Sequence, residues 1–333
     1  MASLGVISEK LVEGDEIRVV SPARSMALIS EECQKISISA LEKMGLKVSF
    51  SEHVSEKDDF VSSSILSRVS DLHDAFSDKT VKAILTTIGG FNSNQLLDYL
   101  DYDLIKSNPK ILCGYSDITA IANAITTKTG LVTYSGPHFS TFGMIKGNGY
   151  TEEYFKKCLM QSSPFDITPC QQWSNDRWWE DQEKRNFNTN EGFVVLNEGK
   201  TEGTIIGGNL CTFNLLHGTQ YMPFLENTIL FVEDCVEAKH TFAPNFDRDL
   251  QSIIHQPGFE KVKGILIGRF ESTSGMTLDL LKKIVSTKKE LDNIPVIVNV
   301  DFGHTDPKFT FPIGGKTDIA ADKNSATIRI TKH

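Results

Sequence analysis

The stretch KILCGYSDITAIANAI, residues 110–125, passes from an apolar run through GYSD (114–117) into a helical pattern. Such a transition is typical of a buried strand that leads through a tight turn into a helix. In a nucleophile elbow, this turn holds a reactive side chain above the sheet. The G-x-S-x-G form of the elbow is incomplete here, because Ile118 occupies the second glycine position. Ser116 could therefore be a nucleophile, or an N-cap with Asp117 in the first helical turn.

Short β-type runs and helical patterns alternate on both sides of this stretch. Strands are predicted at IRVV (17–20), LKVSF (46–50), VKAILTT (81–87) and ILCGY (111–115). Helical spacing covers residues 30–44 and 64–77 and begins again at residue 94, and Gly45 is placed to end the first of these helices. This alternation predicts an α/β fold with a doubly wound parallel sheet, whose ligands collect at the carboxyl ends of the strands.

The alternation is looser in the second half of the chain. A polar segment, 171–192, contains all three tryptophans, Trp173, Trp178 and Trp179, and is expected to join two domains. A second αβ section follows, with strands predicted at 229–232, 264–267, 296–300, 317–320 and 326–330 and helices at 247–255 and 278–289. The predicted organisation is an N-terminal domain (1–165), a connecting loop (166–195) and a smaller C-terminal domain (196–333).

Composition argues against several classes of protein. The 333 residues have a formal net charge of -9 and no dense lysine or arginine block, so nucleic acid is not an expected partner. The six cysteines are scattered without CxxC spacing, which indicates buried thiols in a reducing compartment rather than a zinc site or a disulfide framework. Without a secretory pattern or an apolar run of about eighteen residues, the sequence predicts a cytoplasmic protein with no membrane partner.

A nucleophilic serine needs a base, and the base needs an orienting partner. His304 is the most suggestive base, since VIVNVDFGH (296–304) puts it just past a strand; His138, in GPHFS (136–140), is the next candidate. In NTILFVEDCVEA (227–238), four apolar residues give way to Glu233 and Asp234. These two neighbours point to opposite faces if the strand persists, and Glu233 is preferred. Each of these side chains could also be structural or solvated.

Two Gly-Gly pairs, at 89–90 and 207–208, would allow the backbone to come close to a ligand, although tight turns explain them equally well. Four segments together carry a family resemblance: IGGFNSNQLLDYLDYD (88–103), CGYSDITAI (113–121), LFVED (230–234) and VDFGH (300–304). In order and spacing they resemble the LD-carboxypeptidase family of serine peptidases, and more closely its microcin C self-immunity branch. The resemblance covers nearly the full chain.

The resemblance implies a role for each of these residues. Ser116 would be the nucleophile, His304 the general base and later acid, and Glu233 the residue that orients the histidine. The backbone N–H groups of Gly90 and Asp117 would form the oxyanion hole. The family also implies a parallel α/β N-terminal domain, a β-rich C-terminal domain, a triad assembled between them, and a homodimer. No cofactor or metal is expected, because nothing in the sequence resembles a metal site or a dinucleotide fingerprint.

The same resemblance bears on the substrate. Ile88 and Asn92 replace the arginine and glycine that peptidoglycan-trimming members typically have around the Gly-Gly pair, which weakens the case for a cell-wall peptide. In the immunity branch a tryptophan of the long loop stacks on adenine, so Trp178 or Trp179 is expected to bind a nucleobase; either ring could instead anchor the loop. Asn209 is a further candidate to line the cleft.

Lys239 is a candidate for binding the substrate carboxylate, although a solvated lysine is the simpler interpretation. The predicted activity is hydrolysis of the bond between a terminal, acidic amino acid and a nucleotide-like leaving group, as in processed microcin C or aminoacyl sulfamoyl adenosines. One alternative is an LD-carboxypeptidase acting on muropeptides, with the same triad. Another is a non-catalytic protein that binds a small ligand.

Overall fold

The computed structural model describes residues 5–236 and 238–333 as an α/β protein built on two sheets. Its strands are β1 (Glu16–Val20), β2 (Lys47–Phe50), β3 (Val81–Thr86), β4 (Ile111–Gly114), β5 (Thr133–Ser135), β6 (Phe165–Ile167), β7 (Gln172–Trp173), β8 (Asn188–Thr189), β9 (Val194–Asn197), β10 (Gly199–Asn209), β11 (Thr228–Glu233), β12 (Gly264–Gly268), β13 (Val296–Val300), β14 (Phe311–Ile313), β15 (Lys316–Asp322) and β16 (Ser325–Lys332).

The α-helices are α1 (Glu31–Lys43), α2 (Ile65–Ser77), α3 (Tyr102–Ser107), α4 (Ile118–Thr129), α5 (Gly149–Leu159), α6 (Leu210–Asn214), α7 (Lys239–Ile254) and α8 (Leu278–Ser286). Short 3-10 helices occur at Met26–Leu28, Ser93–Leu96, Phe139–Gly143, Phe259–Lys261, Ser272–Ser274 and Lys289–Leu291. In the described part of the chain, no helix combines the length and the apolar character needed to cross a membrane.

The first sheet has the strand order β14-β5-β4-β3-β1-β2, and all of its strands are parallel except β14 at the edge. All residues of β3 are buried apart from Lys82, as expected for a sheet covered by helices on both faces. Ser30 caps α1 by accepting a hydrogen bond from the Cys33 N–H, and Gly45, with φ of 86°, follows its end. The predicted parallel α/β domain is confirmed.

The second sheet has eight strands in the order β6-β16-β15-β10-β11-β12-β13-β9. Its centre, β10 to β13, is parallel, whereas the flanking pairs are antiparallel. Local sequence patterns do not predict the long strand β10, because a Gly-Gly pair is typical of a tight turn or of a loop that approaches a ligand. A Cβ on Gly208 would lie 2.4 Å from Thr119 Oγ1 of α4, so glycine allows the two halves of the chain to pack closely.

Two short strands connect the halves. β14, from the C-terminal half, pairs with β5 in the first sheet, and β6, at the start of the predicted connecting loop, pairs with β16 in the second. The domain boundaries at 165 and 196 stay a prediction.

Two helices differ from expectation. Residues 94–100 begin as a 3-10 turn rather than an α-helix, and α7 begins eight residues earlier than predicted, with Pro244 inside it.

Candidate active site

Ser116 lies in a tight turn between β4 and α4 and has the left-handed φ of 60°. This backbone conformation is uncommon for residues other than glycine and is frequent at functional sites. The N-cap of α4 is Asp117 rather than Ser116, so the capping interpretation of the serine is wrong. A Cβ on Gly114 would lie 2.1 Å from Thr86 Oγ1, which explains the glycine at the start of the turn. The turn therefore has the shape of a nucleophile elbow.

Three side chains that are far apart in the sequence form a hydrogen-bonded chain at this turn. Ser116 Oγ lies 3.1 Å from His304 Nε2, and His304 Nδ1 lies 2.7 Å from Glu233 Oε2. His304 follows β13 and Glu233 ends β11, so the carboxyl ends of parallel strands in the second sheet face the elbow of the first. Both distances are within hydrogen-bond range.

The carboxylate of Glu233 is held in place from behind. Glu233 is only 2% exposed, and its Oε1 accepts a hydrogen bond from Asn209 Nδ2 at 3.3 Å. The same amide donates to Asp234 Oδ1 at 3.1 Å, while Asn209 Oδ1 accepts from the N–H and hydroxyl of Thr212. The orientation of the Asn209 amide is thereby set, and with it the orientation of the glutamate.

The electrostatic environment makes His304 a stronger base than an ordinary histidine. Burial lowers its pKa, but the charge and hydrogen bond of Glu233, together with the charge of Glu271, outweigh burial, so the pKa of His304 lies above its ordinary value of 6.5. Burial and the neighbouring Glu233 charge raise the pKa of Asp234 to about 6. A basic imidazole beside a buried carboxylate is well suited to take up a proton from the Ser116 hydroxyl.

Two backbone N–H groups near Ser116 are available as donors. The N–H groups of Gly90 and Asp117 make no hydrogen bond to any described group. The Asp117 carboxylate instead accepts from the N–H groups of Asn92 and Ser93, at 3.0 and 2.9 Å, and the Ser93 hydroxyl donates to the Asp117 carbonyl at 2.6 Å. These contacts join the Gly-Gly turn to the elbow, as an oxyanion hole made from both would require.

Ser116 and His304 line a cavity of about 550 Å³, and Trp178 and Trp179 form another part of its wall. The two indole rings meet edge to face with centroids 5.8 Å apart, and Trp178 is buried whereas Trp179 is 63% exposed. The loop that carries them is fixed to the His304 loop by a backbone pair: Ser174 N–H donates to Asp306 O and Asp306 N–H donates to Ser174 O, at 2.7 and 2.8 Å.

Two predicted substrate-binding residues do not line this cavity. Asn209 is buried behind Glu233, and Lys239 is exposed at the first turn of α7. Direct contact of either residue with a substrate stays a prediction.

Sequence reasoning missed Arg24, Glu271 and Lys308 in the cavity wall. Lys308 is buried and paired with Asp306, whereas Arg24 stacks on Phe91 at 4.9 Å and has no anionic partner among the described residues. No sequence motif marks these residues. The described residues include no cluster of three or more His, Cys, Asp or Glu that could hold a metal ion.

Comparison with known proteins agrees with this geometry. Residues 17–136 match the model of the LD-carboxypeptidase N-terminal domain, and residues 202–319 match that of the C-terminal domain. YocD of Bacillus subtilis (strain 168), which is named as a carboxypeptidase, is 58% identical over 98% of this chain and 99% of its own length. The structure of an MccF-like protein from Bacillus anthracis str. Ames has a TM-score of 0.98 and 52% identity, covering 98% of this chain and 100% of that chain.

The microcin C7 self-immunity protein MccF of Escherichia coli is 31% identical over 98% of this chain and 96% of its own length. A structure of MccF in complex with aspartyl sulfamoyl adenosine has a TM-score of 0.86 and 30% identity, covering 98% of this chain and 99% of that chain. Both family models and these full-length matches support one assignment: the chain belongs to the LD-carboxypeptidase family of serine peptidases.

Proposed function

We propose that the protein is a serine hydrolase that cleaves the bond between a terminal, acidic amino acid and a nucleotide-like leaving group, and so detoxifies compounds of the processed microcin C type. The observation that carries this proposal is the hydrogen-bonded chain Ser116–His304–Glu233 at a cavity lined by two tryptophans. MccF, which has the same fold, binds aspartyl sulfamoyl adenosine, a compound of this class.

In the first half of the reaction, His304 Nε2 takes the proton of the Ser116 hydroxyl as Oγ attacks the acyl carbonyl carbon. The new C–O bond moves the carbonyl electrons onto oxygen, and the N–H groups of Gly90 and Asp117 stabilise this oxyanion. Glu233 stabilises the imidazolium that forms. When the tetrahedral intermediate collapses, the C–N bond breaks and His304 donates its proton to the departing nitrogen.

The second half repeats these steps with water. His304 takes a proton from a water molecule that attacks the acyl–serine ester, and a second oxyanion forms at the same two N–H groups. Its collapse breaks the ester C–O bond, His304 returns the proton to Ser116 Oγ, and the free amino acid leaves. No step requires a group that this chain does not supply apart from substrate and water.

The cavity wall supports a substrate that is both aromatic and anionic. The exposed face of Trp179 offers a stacking surface for a nucleobase, which is worth about 1–3 kcal/mol per base. Arg24, the cavity cation without an anionic partner among the described residues, is suited to an acidic side chain or a sulfamate. Lys308 is less available, because Asp306 already pairs with it.

The deciding experiment is incubation of the purified protein with aspartyl sulfamoyl adenosine and, separately, with a tetrapeptide muropeptide, with products separated by liquid chromatography. Release of aspartate and sulfamoyl adenosine is expected. Cleavage of the muropeptide alone would remove the proposed substrate and leave the LD-carboxypeptidase alternative in its place.

A Ser116→Ala variant distinguishes an enzyme from a binding protein. The variant should lose turnover by several orders of magnitude, because triad members act as a unit, while calorimetry still detects binding of the intact substrate. If Ser116→Ala and the unmodified protein behave alike in both assays, the hydrolase proposal fails. Thr127→Ala, a change on α4 outside the cavity, is the matched control.

A further inference from the structure

A second histidine lies beside the nucleophile and has no part in the mechanism above. His138 follows β5, is 2% exposed and lines the same cavity as Ser116. Its ring packs on Tyr115, the residue before the nucleophile, with centroids 4.3 Å apart. The two imidazoles thus lie around Tyr115 and Ser116, but only His304 forms a hydrogen bond with the serine. His138 is therefore not the base that the sequence left open.

The hydrogen bonds of His138 identify which ring nitrogen carries its proton. Thr86 Oγ1 donates to the Cys113 carbonyl at 3.3 Å and lies 2.8 Å from His138 Nδ1. Both contacts are hydrogen bonds only if the hydroxyl proton points to the carbonyl and Nδ1–H donates to the hydroxyl oxygen. Nε2 is then an unprotonated acceptor, and it is buried without a hydrogen-bond partner among the described residues.

His138 Nε2 lies on the same side of Gly89 as the nucleophile. A Cβ built on Gly89 would lie 2.9 Å from Ser116 Oγ and 3.6 Å from His138 Nε2, so both atoms approach the same glycine. Burial, followed by the nearby charges of Lys308 and His304, lowers the pKa of His138 well below its ordinary value. This direction favours the neutral form of the ring. A buried acceptor without a partner is costly, and at a binding cavity it indicates a missing donor.

We propose that His138 Nε2 accepts a hydrogen bond from the α-amino group of the acyl residue and so selects substrates that have an N–H group on the α-carbon. This inference rests on the proposed function. The tetrahedral carbon has four substituents: Ser116 Oγ, the oxyanion, the leaving nitrogen or attacking water, and the α-carbon. Gly90 and Asp117 bind the oxyanion, and His304 serves the leaving nitrogen and the water.

The α-carbon is the substituent without an assigned neighbour, and the α-amino group is the donor attached directly to it. His138 Nε2 is a polar atom close to Ser116 with no other use in the mechanism. A neutral acceptor suits this position, because it binds an ammonium or an amide N–H without adding a negative charge beside the developing oxyanion.

The test compares the unmodified enzyme and the His138→Leu variant on two substrates. Aspartyl sulfamoyl adenosine has the α-amino group, and succinyl sulfamoyl adenosine is the same molecule without it. His138→Leu should lower kcat/KM for the aspartyl substrate by about 10- to 100-fold, the range for a hydrogen bond to a charged group, and by less than about threefold for the succinyl substrate. His138→Gln places an amide oxygen near the position of Nε2 and should recover most of the activity.

The succinyl substrate also serves as the folding control, since a damaged protein would lose activity on both substrates. His255→Leu, at an exposed histidine outside the cavity, should change neither value. Equal losses on both substrates, with acyl-enzyme accumulating in a burst, would overturn the inference in favour of a role in positioning the water. If the unmodified protein cleaves neither compound, the proposed function fails as well; if it cleaves both and His138→Leu has no selective effect, only the inference fails. ¹⁵N NMR that finds a proton on Nε2 would also refute it.

Discussion

Replacing Glu233 by glutamine tests the hydrogen-bonded chain with the smallest change in shape. The carboxylate accepts from His304 Nδ1 through one oxygen and from Asn209 Nδ2 through the other. A glutamine has one oxygen and one NH₂ group. If its oxygen faces His304, its NH₂ meets the NH₂ of Asn209; if its NH₂ faces His304, it stabilises the tautomer with a proton on Nε2, which cannot accept the serine proton.

Asn209 cannot turn to relieve this conflict without losing the two hydrogen bonds from Thr212 to its Oδ1. The variant also loses the charge that stabilises the imidazolium. At an effective dielectric constant of about 20 and a charge separation of about 4 Å, that attraction is about 4 kcal/mol, or about a thousandfold in rate. The wrong tautomer adds to this loss, so kcat should fall by about 10³- to 10⁴-fold.

The pH profile gives a second readout of the same change. Glu233 raises the pKa of His304 above 6.5, and the base must be neutral, so kcat/KM of the unmodified enzyme should fall as the pH drops through a value above 6.5. Glu233→Gln removes the charge, lowers the pKa of His304 and moves this acid limb to lower pH. The assay is release of sulfamoyl adenosine between about pH 5 and 9, with the melting temperature as a check on folding.

Asp234→Asn is the matched control, since Asp234 shares the Asn209 contact but does not touch His304. Its expected effect on kcat is less than about tenfold, in keeping with a small change to a neighbouring hydrogen bond. Residual activity of Glu233→Gln within tenfold of the unmodified enzyme, with an unchanged acid limb, would refute the assigned role of Glu233.

Three further variants test the surroundings of the site. Gly89→Ala should lower kcat and reduce the free energy of unfolding by about 1–3 kcal/mol, because the new Cβ would lie 2.9 Å from Ser116 Oγ. Gly149→Ala, whose Cβ would have no described atom within 4 Å, is the control and should be neutral. Equal effects of the two variants would contradict the crowding at Gly89. Trp179→Ala should weaken binding of the adenosine-containing substrate by about 5- to 150-fold in calorimetry. Phe60→Ala, at another exposed aromatic residue, is the control, and unchanged binding by Trp179→Ala would exclude stacking on this ring. Asp301→Ala leaves the buried Arg269 without its ion pair and should lower the free energy of unfolding, measured in urea, by about 3–5 kcal/mol. Asp279→Ala removes an exposed carboxylate and should change it very little. A loss below about 1 kcal/mol in Asp301→Ala would show that the ion pair does not stabilise the fold.

Much of the first sheet was predictable because its signals are local. Strands β1 to β4 are short apolar runs between helical repeats, and the structure places them within a residue or two of their predicted bounds. The same local signals predicted a tight strand-to-helix turn at Ser116, whereas the role of the serine as a nucleophile was implied by the family resemblance. Burial on both faces of a parallel sheet demands continuous apolar segments, and these are visible without knowledge of the fold.

Other elements depend on contacts between distant parts of the chain and were missed. β10 contains Gly207 and Gly208, which suggested a turn, yet these glycines are required by close approach to Phe231 and Thr119. β14 is three residues long, contains a proline and precedes two glycines, so no local pattern marks it as a strand, and only its pairing with β5 defines it as an edge strand.

The sequence by itself determined the order of the strands and helices of the first half, the turn at Ser116, and the candidates Glu233 and His304, because each follows from residues close together in the chain. Only the tertiary structure decided that Asn209 lies behind Glu233, that Arg24, Lys308 and His138 line the cavity, and that His138 Nε2 is buried without a hydrogen-bond partner among the described residues. Distances, burial and unmet hydrogen bonds arise where separate segments meet, so local patterns contain no record of them.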